Sequence, residues 1–180
     1  MTVSSMSDRF SALGEEWGRG SVKVLDIYRG TTVDGPGFRT SIYLAGCSHH
    51  CEGCHNPSSW DSAGGRSMSL AEIAAIIEEE DFDVTLTGGD PLYNPETCAH
   101  LVSLVKALGH EAWVYTGYTW EQISSDPALL AGVREAQVVV DGPYIASLRD
   151  PDLHFRGSSN QRLIDVAASL ATGHPQPHHP

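Results

Sequence analysis

Basic residues are scarce in this sequence: 11 Lys and Arg stand against 23 Asp and Glu, a formal net charge of −12. Phosphate repels so acidic a chain, which makes it a poor generic binder of nucleic acid. It is better matched to a small ligand or to a protein with a basic face. No apolar run approaches the roughly 20 residues that a membrane helix requires, and residues 1–20 lack the apolar stretch of a secretory signal. The expectation is a cytoplasmic protein with neither nucleic-acid nor membrane partners, in a compartment that keeps thiols reduced. Cysteine is scarce too, at four. Three of the four, Cys47, Cys51 and Cys54, crowd one short loop, and Cys98 lies far downstream. That distribution predicts a metal site and one stray thiol, not two disulfides.

What is present describes one domain. The 180 residues are 41% hydrophobic, enough for a core. Residues 1–20 form a loose extension with a short helix around Arg9–Leu13, residues 21–168 the folded body, and residues 169–180 a Pro- and His-rich tail expected to be disordered. Within the body, strand-like runs (Val22–Tyr28, Thr40–Ala45, Val84–Thr87, Ala112–Tyr115, Val138–Val140) alternate with helix-like ones. Ser69-Leu70-Ala71-Glu72 is a capping box ahead of Ile73, Ile76 and Ile77 at helical spacing. Pro95 suits a first helical turn, with Leu101, Leu104, Val105 and Leu108 on one stripe beyond it. The alternation predicts an α/β fold with right-handed crossovers and mainly parallel strands. In such sheets chemistry collects on the loops past the carboxyl ends of strands. Four loops qualify: the cysteine loop, Gly88-Gly89-Asp90-Pro91, Tyr115-Thr116-Gly117-Tyr118 and Asp141-Gly142-Pro143.

The cysteine loop reads Gly46-Cys47-Ser48-His49-His50-Cys51-Glu52-Gly53-Cys54-His55-Asn56-Pro57. Thiolates are soft ligands that suit zinc or iron–sulfur clusters. Structural zinc takes four closed ligands, whereas three thiolates hold three irons of a cubane and leave one iron open to a ligand. The residues alone leave three arrangements: a three-cysteine cluster, a zinc site completed by Cys98 or a nearby His, and a closed four-cysteine cluster using Cys98.

The pattern Cys-x-x-x-Cys-x-x-Cys resembles the signature of radical S-adenosylmethionine enzymes, and Gly-Cys-x-x-x-Cys-x-Gly-Cys-His-Asn-Pro resembles the activating enzymes of glycyl-radical proteins. Val33-Asp34-Gly35-Pro36-Gly37-Phe38-Arg39 is similar to their entry motif, and Thr87-Gly88-Gly89-Asp90-Pro91-Leu92 to their glycine-rich motif, with Asp90 where many members carry Glu. Phe155-Arg156-Gly157-Ser158-Ser159-Asn160-Gln161-Arg162 closely resembles the C-terminal motif of the branch that activates anaerobic ribonucleoside-triphosphate reductase. The match spans Val22 to Val166.

The resemblance implies a truncated, side-open (β/α) partial barrel. It implies a [4Fe–4S] cluster on Cys47, Cys51 and Cys54, and S-adenosylmethionine in contact with Gly53, Cys54, His55, Gly88, Gly89 and Asp90. The chemistry implied is reductive cleavage of S-adenosylmethionine to a 5′-deoxyadenosyl radical that takes hydrogen from a glycine of the reductase. The cofactor carries the radical, so no side chain is cast as catalytic. A low-potential donor such as flavodoxin or ferredoxin supplies the electron. Two other readings stand beside it: activation of pyruvate formate-lyase or radical chemistry on a small molecule, and a zinc-binding interaction module. Arg39, Arg156 and Arg162 are candidates to hold the S-adenosylmethionine carboxylate or to grip the partner, with a surface or buried ion pair the alternative. Asp34 is a candidate with ordinary turn chemistry as the alternative; Tyr115 and Tyr118 are candidates for the border of the adenosyl pocket, with core packing the favoured reading. Trp60 shields the loop, and His49 and His50 have no assigned role.

Overall fold

The structure, a computed structural model, describes residues 20–180. The expected N-terminal extension and its short helix lie, save for Gly20, outside the described residues. The chain opens with two antiparallel strands, β1 (Ser21–Thr31) and β2 (Arg39–Leu44), with β3 (Arg66–Ser69) on the outer side of β1. Alternation begins only then: α1 (Leu70–Glu80), β4 (Asp83–Gly88), α2 (Pro95–Ala107) and β5 (Ala112–Tyr115). Two short helices, α3 (Trp120–Ser125) and α4 (Pro127–Val133), lead to β6 (Val138–Asp141). The chain ends with β7 (Arg162–Asp165), α5 (Val166–Thr172) and β8 (Gln176–Pro177).

The strands form one open sheet in the order β3-β1-β2-β4-β5-β6-β7-β8. Only the centre, β2-β4-β5-β6, is parallel. Both flanks are antiparallel, so the sheet is mixed and not mainly parallel as expected. The reason is local: no α-helix lies between β1 and β2, or between β6 and β7 where only the single 3-10 turn Ala146–Leu148 stands, and parallel neighbours are usually joined by a helical crossover.

The helices form where their caps and stripes dictate. Glu72 N donates to Ser69 Oγ at 3.2 Å and Ser69 N to Glu72 Oε2 at 2.7 Å, closing the capping box of α1. Leu70, Ile73, Ala74 and Ile77 turn one buried face to the sheet. Each large side chain so buried contributes about 1.5–3 kcal/mol. Asn94 caps α2 by accepting from Thr97 N at 3.1 Å, and Cys98, Leu101, Val102, Leu104 and Val105 are buried along it. Cys98 is fully buried in this helical layer, as a small apolar side chain would be.

The opposite face of the sheet is covered as well. Trp113, Val138, Val140 and Leu163 form a second cluster with Tyr115 and Phe155 against it. Burial on both faces explains the unbroken valine run of β6. Arg39 belongs to this layer, 1% exposed. Its Nε donates to Thr85 Oγ1 at 2.8 Å, its Nη2 to Val84 O at 2.7 Å, and its guanidinium lies 5.2 Å from the Trp113 ring. Arg39 is therefore a structural stitch between β2 and β4, and its burial pulls its pKa down.

The tail departs from expectation. The expected boundary at 168 falls inside α5, and residues 173–180 run back along the sheet instead of dissolving into solvent. β8 pairs with β7, His178 N donates to Leu163 O at 2.8 Å, and the His178 ring meets Trp113 edge-on at 5.5 Å. An outermost strand tolerates proline because its outward amide has no partner to lose.

Candidate functional site

The central strands are parallel, so their carboxyl ends share one edge, and the loops beyond them line a cleft of about 390 Å³. The loop after β2 contributes Cys47, Cys51, Cys54 and His55, and that after β4 Gly88, Gly89 and Asp90. The segments at the ends of β5 and β6 add Tyr115, Thr116, Gly117 and Gly142. Gly53 turns the cysteine loop at φ 75° but is not on the cleft wall; its side-chain space faces Ala146.

The cysteine loop is held by its own backbone. Gly46 N donates to Ser59 O at 2.8 Å, Cys47 N to Trp60 O at 3.3 Å and Cys54 N to Cys51 O at 3.1 Å. His50 sits in the left-handed region at φ 48°, which few residues other than glycine adopt. Its ring packs on Trp60 at 4.7 Å, so Trp60 braces the loop it follows. The three loop cysteines are free and half-buried. Burial pushes the Cys47 thiol up, opposed by the amides of His49 and His50. Burial pushes Cys98 up further, as expected of an inert core thiol.

The glycine pair has a reason the sequence does not show. A Cβ on Gly88 would strike the backbone of Leu44, and one on Gly89 the backbone of Gly46 and Ser59. Two loop backbones lie against each other here: Gly89 N donates to Leu44 O at 2.7 Å and Asp90 N to Gly46 O at 2.8 Å. Asp90 is 3% exposed, and both its oxygens accept from the protein. Its Oδ1 accepts from Leu92 N at 2.8 Å; its Oδ2 accepts from Thr116 Oγ1 and Gly117 N, both at 2.9 Å. His49 Nε2 lies 2.7 Å from the same Oδ2, off the line an aligned N–H would need, so the contact is one of close packing. The His49 ring rests on Gly117, where a Cβ would come within 2.5 Å, and meets Tyr118 edge-on at 4.5 Å. His49 thus acquires a role, joining the cysteine loop to two other strand ends.

The remaining candidates divide. Arg162 grips Asp141 and Glu121: Nε donates to Asp141 Oδ1 at 3.0 Å and Nη2 to Glu121 Oε2 at 2.8 Å. This fork holds the Glu121 carboxyl down at about 2 and raises the arginine. Asp141 also accepts from Trp120 N at 2.7 Å, so it is a brace between β6 and α3 and more than a turn residue. Asp34 is on the cleft wall and accepts from Tyr43 Oη at 3.0 Å. Burial first, and Asp34 second, push the Tyr43 hydroxyl above its ordinary range. Tyr115 donates to Phe155 O at 2.9 Å, and Arg156 lines the cleft. Tyr43, Tyr144 and Leu153 line it too and carried no sequence signal, each being an isolated residue whose position only the fold supplies.

The donor set fits an iron–sulfur cubane. Three free thiols share one loop on one wall, and the fourth cysteine is in the core. In a cubane each thiolate binds a different iron, so the thiols do not have to converge on one atom. Among the described residues no group of three or more His, Cys, Asp or Glu side chains could hold a metal ion.

A family model described as a 4Fe-4S single cluster domain matches residues 33–164. The anaerobic ribonucleoside-triphosphate reductase-activating protein of Enterobacteria phage T4 is 40% identical over 145 residues, covering 76% of this chain and 90% of its own. The chain belongs to the family of anaerobic ribonucleoside-triphosphate reductase-activating proteins. The member from Escherichia coli K12 is 35% identical over 140 residues, covering 72% of this chain and 89% of its own. QueE from Escherichia coli overlaps structurally at a TM-score of 0.44 and 17% identity, over 64% of this chain and 59% of that one, too little to bear on fold or function. Membership in the activating-protein family brings the 4Fe–4S cluster with it, and every loop of the cleft lies inside the matched span.

Proposed function

We propose that this protein activates an anaerobic ribonucleoside-triphosphate reductase by glycyl-radical installation, with Cys47, Cys51 and Cys54 holding a [4Fe–4S] cluster and S-adenosylmethionine filling the cleft beside it. When bound, the reduced cluster supplies the electron that cleaves S-adenosylmethionine to methionine and a 5′-deoxyadenosyl radical, which takes one hydrogen from a reductase glycine. The observation that carries this reading is the confinement of three unpaired thiols to one wall of a cleft while Cys98 is sealed in the core.

The chain's own residues do three things. The Gly88-Gly89-Asp90 turn and the cysteine loop lock together through backbone, so the wall facing the ligand is rigid. His55, whose ring lies tilted against Tyr144 at 5.0 Å, borders the space for the flat adenosyl part. Trp60, packed on His50, braces the cysteine loop from behind. Asp90 acts as the brace of this wall, since both its oxygens accept hydrogen bonds from the protein. Gly53 contributes the turn of the loop.

The finer fold reading goes with this function: a truncated, side-open barrel of radical S-adenosylmethionine type, supported by an open sheet with a parallel centre and strand-end loops on one cleft. No helix among the described residues is long and apolar enough to cross a membrane. A cytoplasmic location suits free thiols, and a low-potential protein such as flavodoxin or ferredoxin suits the electron required. The test is anaerobic incubation of reduced protein, S-adenosylmethionine and the cognate reductase. A carbon-centred radical seen by electron paramagnetic resonance, with 5′-deoxyadenosine formed, is the expected result. Absence of both with cluster-loaded protein overturns the proposal.

A further inference from the structure

Arg156 is the one Lys or Arg lining the cleft among the described residues. It also lines a second cleft, of about 730 Å³, that the tail closes over β7, so it stands on the ridge between the two. The other candidate arginines are committed: Arg39 to the sheet, Arg162 to Asp141 and Glu121. Arg156 is different. Its Nη1 donates to Gln161 O at 3.1 Å, its Nε is buried with no acceptor, and it forms no ion pair with a carboxylate among the described residues. The segment that carries it is fixed in place. Gln161 Oε1 accepts from Gly157 N at 2.9 Å and Ser158 N at 3.2 Å, and Gln161 Nε2 donates to Gly142 O at 3.0 Å. Phe155, just before it, is held at φ 56°, a conformation a bulky residue adopts only when its surroundings impose it.

A guanidinium is always charged and presents five donors in a planar fork that matches a carboxylate. Placed on the cleft wall with no carboxylate partner, in a protein of net charge −12, it is a site prepared for an anion. Asp34 and Asp90 on the same wall cannot serve, since neither forms an ion pair with it. We propose that Arg156 is the carboxylate-binding residue of the cleft. The inference rests on the function proposed above and deepens it. The carboxylate has two possible sources, the amino-acid end of S-adenosylmethionine and an acidic group of the reductase segment that enters the cleft.

The test uses cluster-loaded protein with iron content matched between wild type, R156Q and R156K. Binding is measured by anaerobic calorimetry with S-adenosylmethionine, with its decarboxylated analogue, and separately with the reductase. If the cofactor is the source, R156Q weakens S-adenosylmethionine about tenfold to a hundredfold, leaves the decarboxylated analogue unchanged, and R156K recovers part of the loss. If the reductase is the source, R156Q leaves both small molecules unchanged and weakens the reductase, more so at low salt. Equal losses for both small molecules, or wild-type binding of all three, overturns the inference. A cluster-loaded wild type that binds no S-adenosylmethionine overturns the function proposed above instead.

Discussion

His49 Nε2 lies 2.7 Å from Asp90 Oδ2, so the cysteine loop touches the carboxylate that ties together the loops after β4 and β5. Asp90 thereby holds three strand ends in register at the site. Asp90→Ala leaves the amides of Leu92 and Gly117 and the hydroxyl of Thr116 without their acceptor. Each stranded buried donor costs about 1–3 kcal/mol, so the variant should lose roughly 3 kcal/mol or more of stability. Asp90→Asn keeps one acceptor and should lose less. Thermal unfolding under anaerobic conditions reads both. Unchanged stability in Asp90→Ala with weakened S-adenosylmethionine binding would make Asp90 a ligand contact instead of a brace.

The His49–Gly117 contact predicts a non-additive pair. Gly117→Ala puts a Cβ within 2.5 Å of the His49 ring, which must move and take the cysteine loop with it. S-adenosylmethionine cleavage should fall about tenfold or more, since a shift of about 1 Å at a reacting centre can cost a hundredfold. In the His49→Ala background the clash is gone, and adding Gly117→Ala should then cost much less than in wild type. Independent, additive losses would show that the ring contact does not position the loop.

Cys98 separates packing from ligation. Cys98→Ala should retain iron and sulfide and lose about 1 kcal/mol of stability to the small void left in the core, read by thermal unfolding. A variant that loses its cluster would make Cys98 a ligand.

Glu121 predicts a pH window. Its carboxyl, bonded by Arg162, titrates at about 2 in the folded protein, below its ordinary value of 4.5. A depressed acid stabilises the fold above its unfolded pKa, and that contribution fades as pH falls through the folded one. Glu121→Gln should therefore lower the unfolding temperature slightly above about pH 5, and the difference from wild type should vanish toward about pH 2. The side chain is exposed, so the effect is small and shrinks in salt. A gap that persists at the acid end would contradict the ion pair.

Much of this was legible in the chain. The capping box at Ser69, the first-turn Pro95 and the valine run of β6 are local signals, and each element formed where its signal lay. The four strand-end loops were legible because a glycine or proline ends each strand, and they do meet in one cleft. The antiparallel flanks were not, because β3 and β7 are four-residue strands whose partners lie far away in sequence. The tail was misread because composition alone cannot reveal that Trp113 offers a ring face to His178. Asp90 and the glycine pair were found for their motif, yet their tightest contacts are with the protein itself: Leu44, Gly46 and Thr116 are distant in sequence and adjacent only in the fold. His49 carried no signal for the same reason.

The most direct measurement is iron and sulfide analysis of anaerobically purified wild type and the single alanine variants of Cys47, Cys51, Cys54 and Cys98, with the spectrum of the reduced cluster recorded before and after S-adenosylmethionine. The account predicts about four irons and four sulfides per chain in wild type and Cys98→Ala. It also predicts a spectrum that changes when S-adenosylmethionine is added, and loss of intact cluster in the other three variants. One zinc and no iron, or a cluster whose spectrum ignores S-adenosylmethionine, would contradict it.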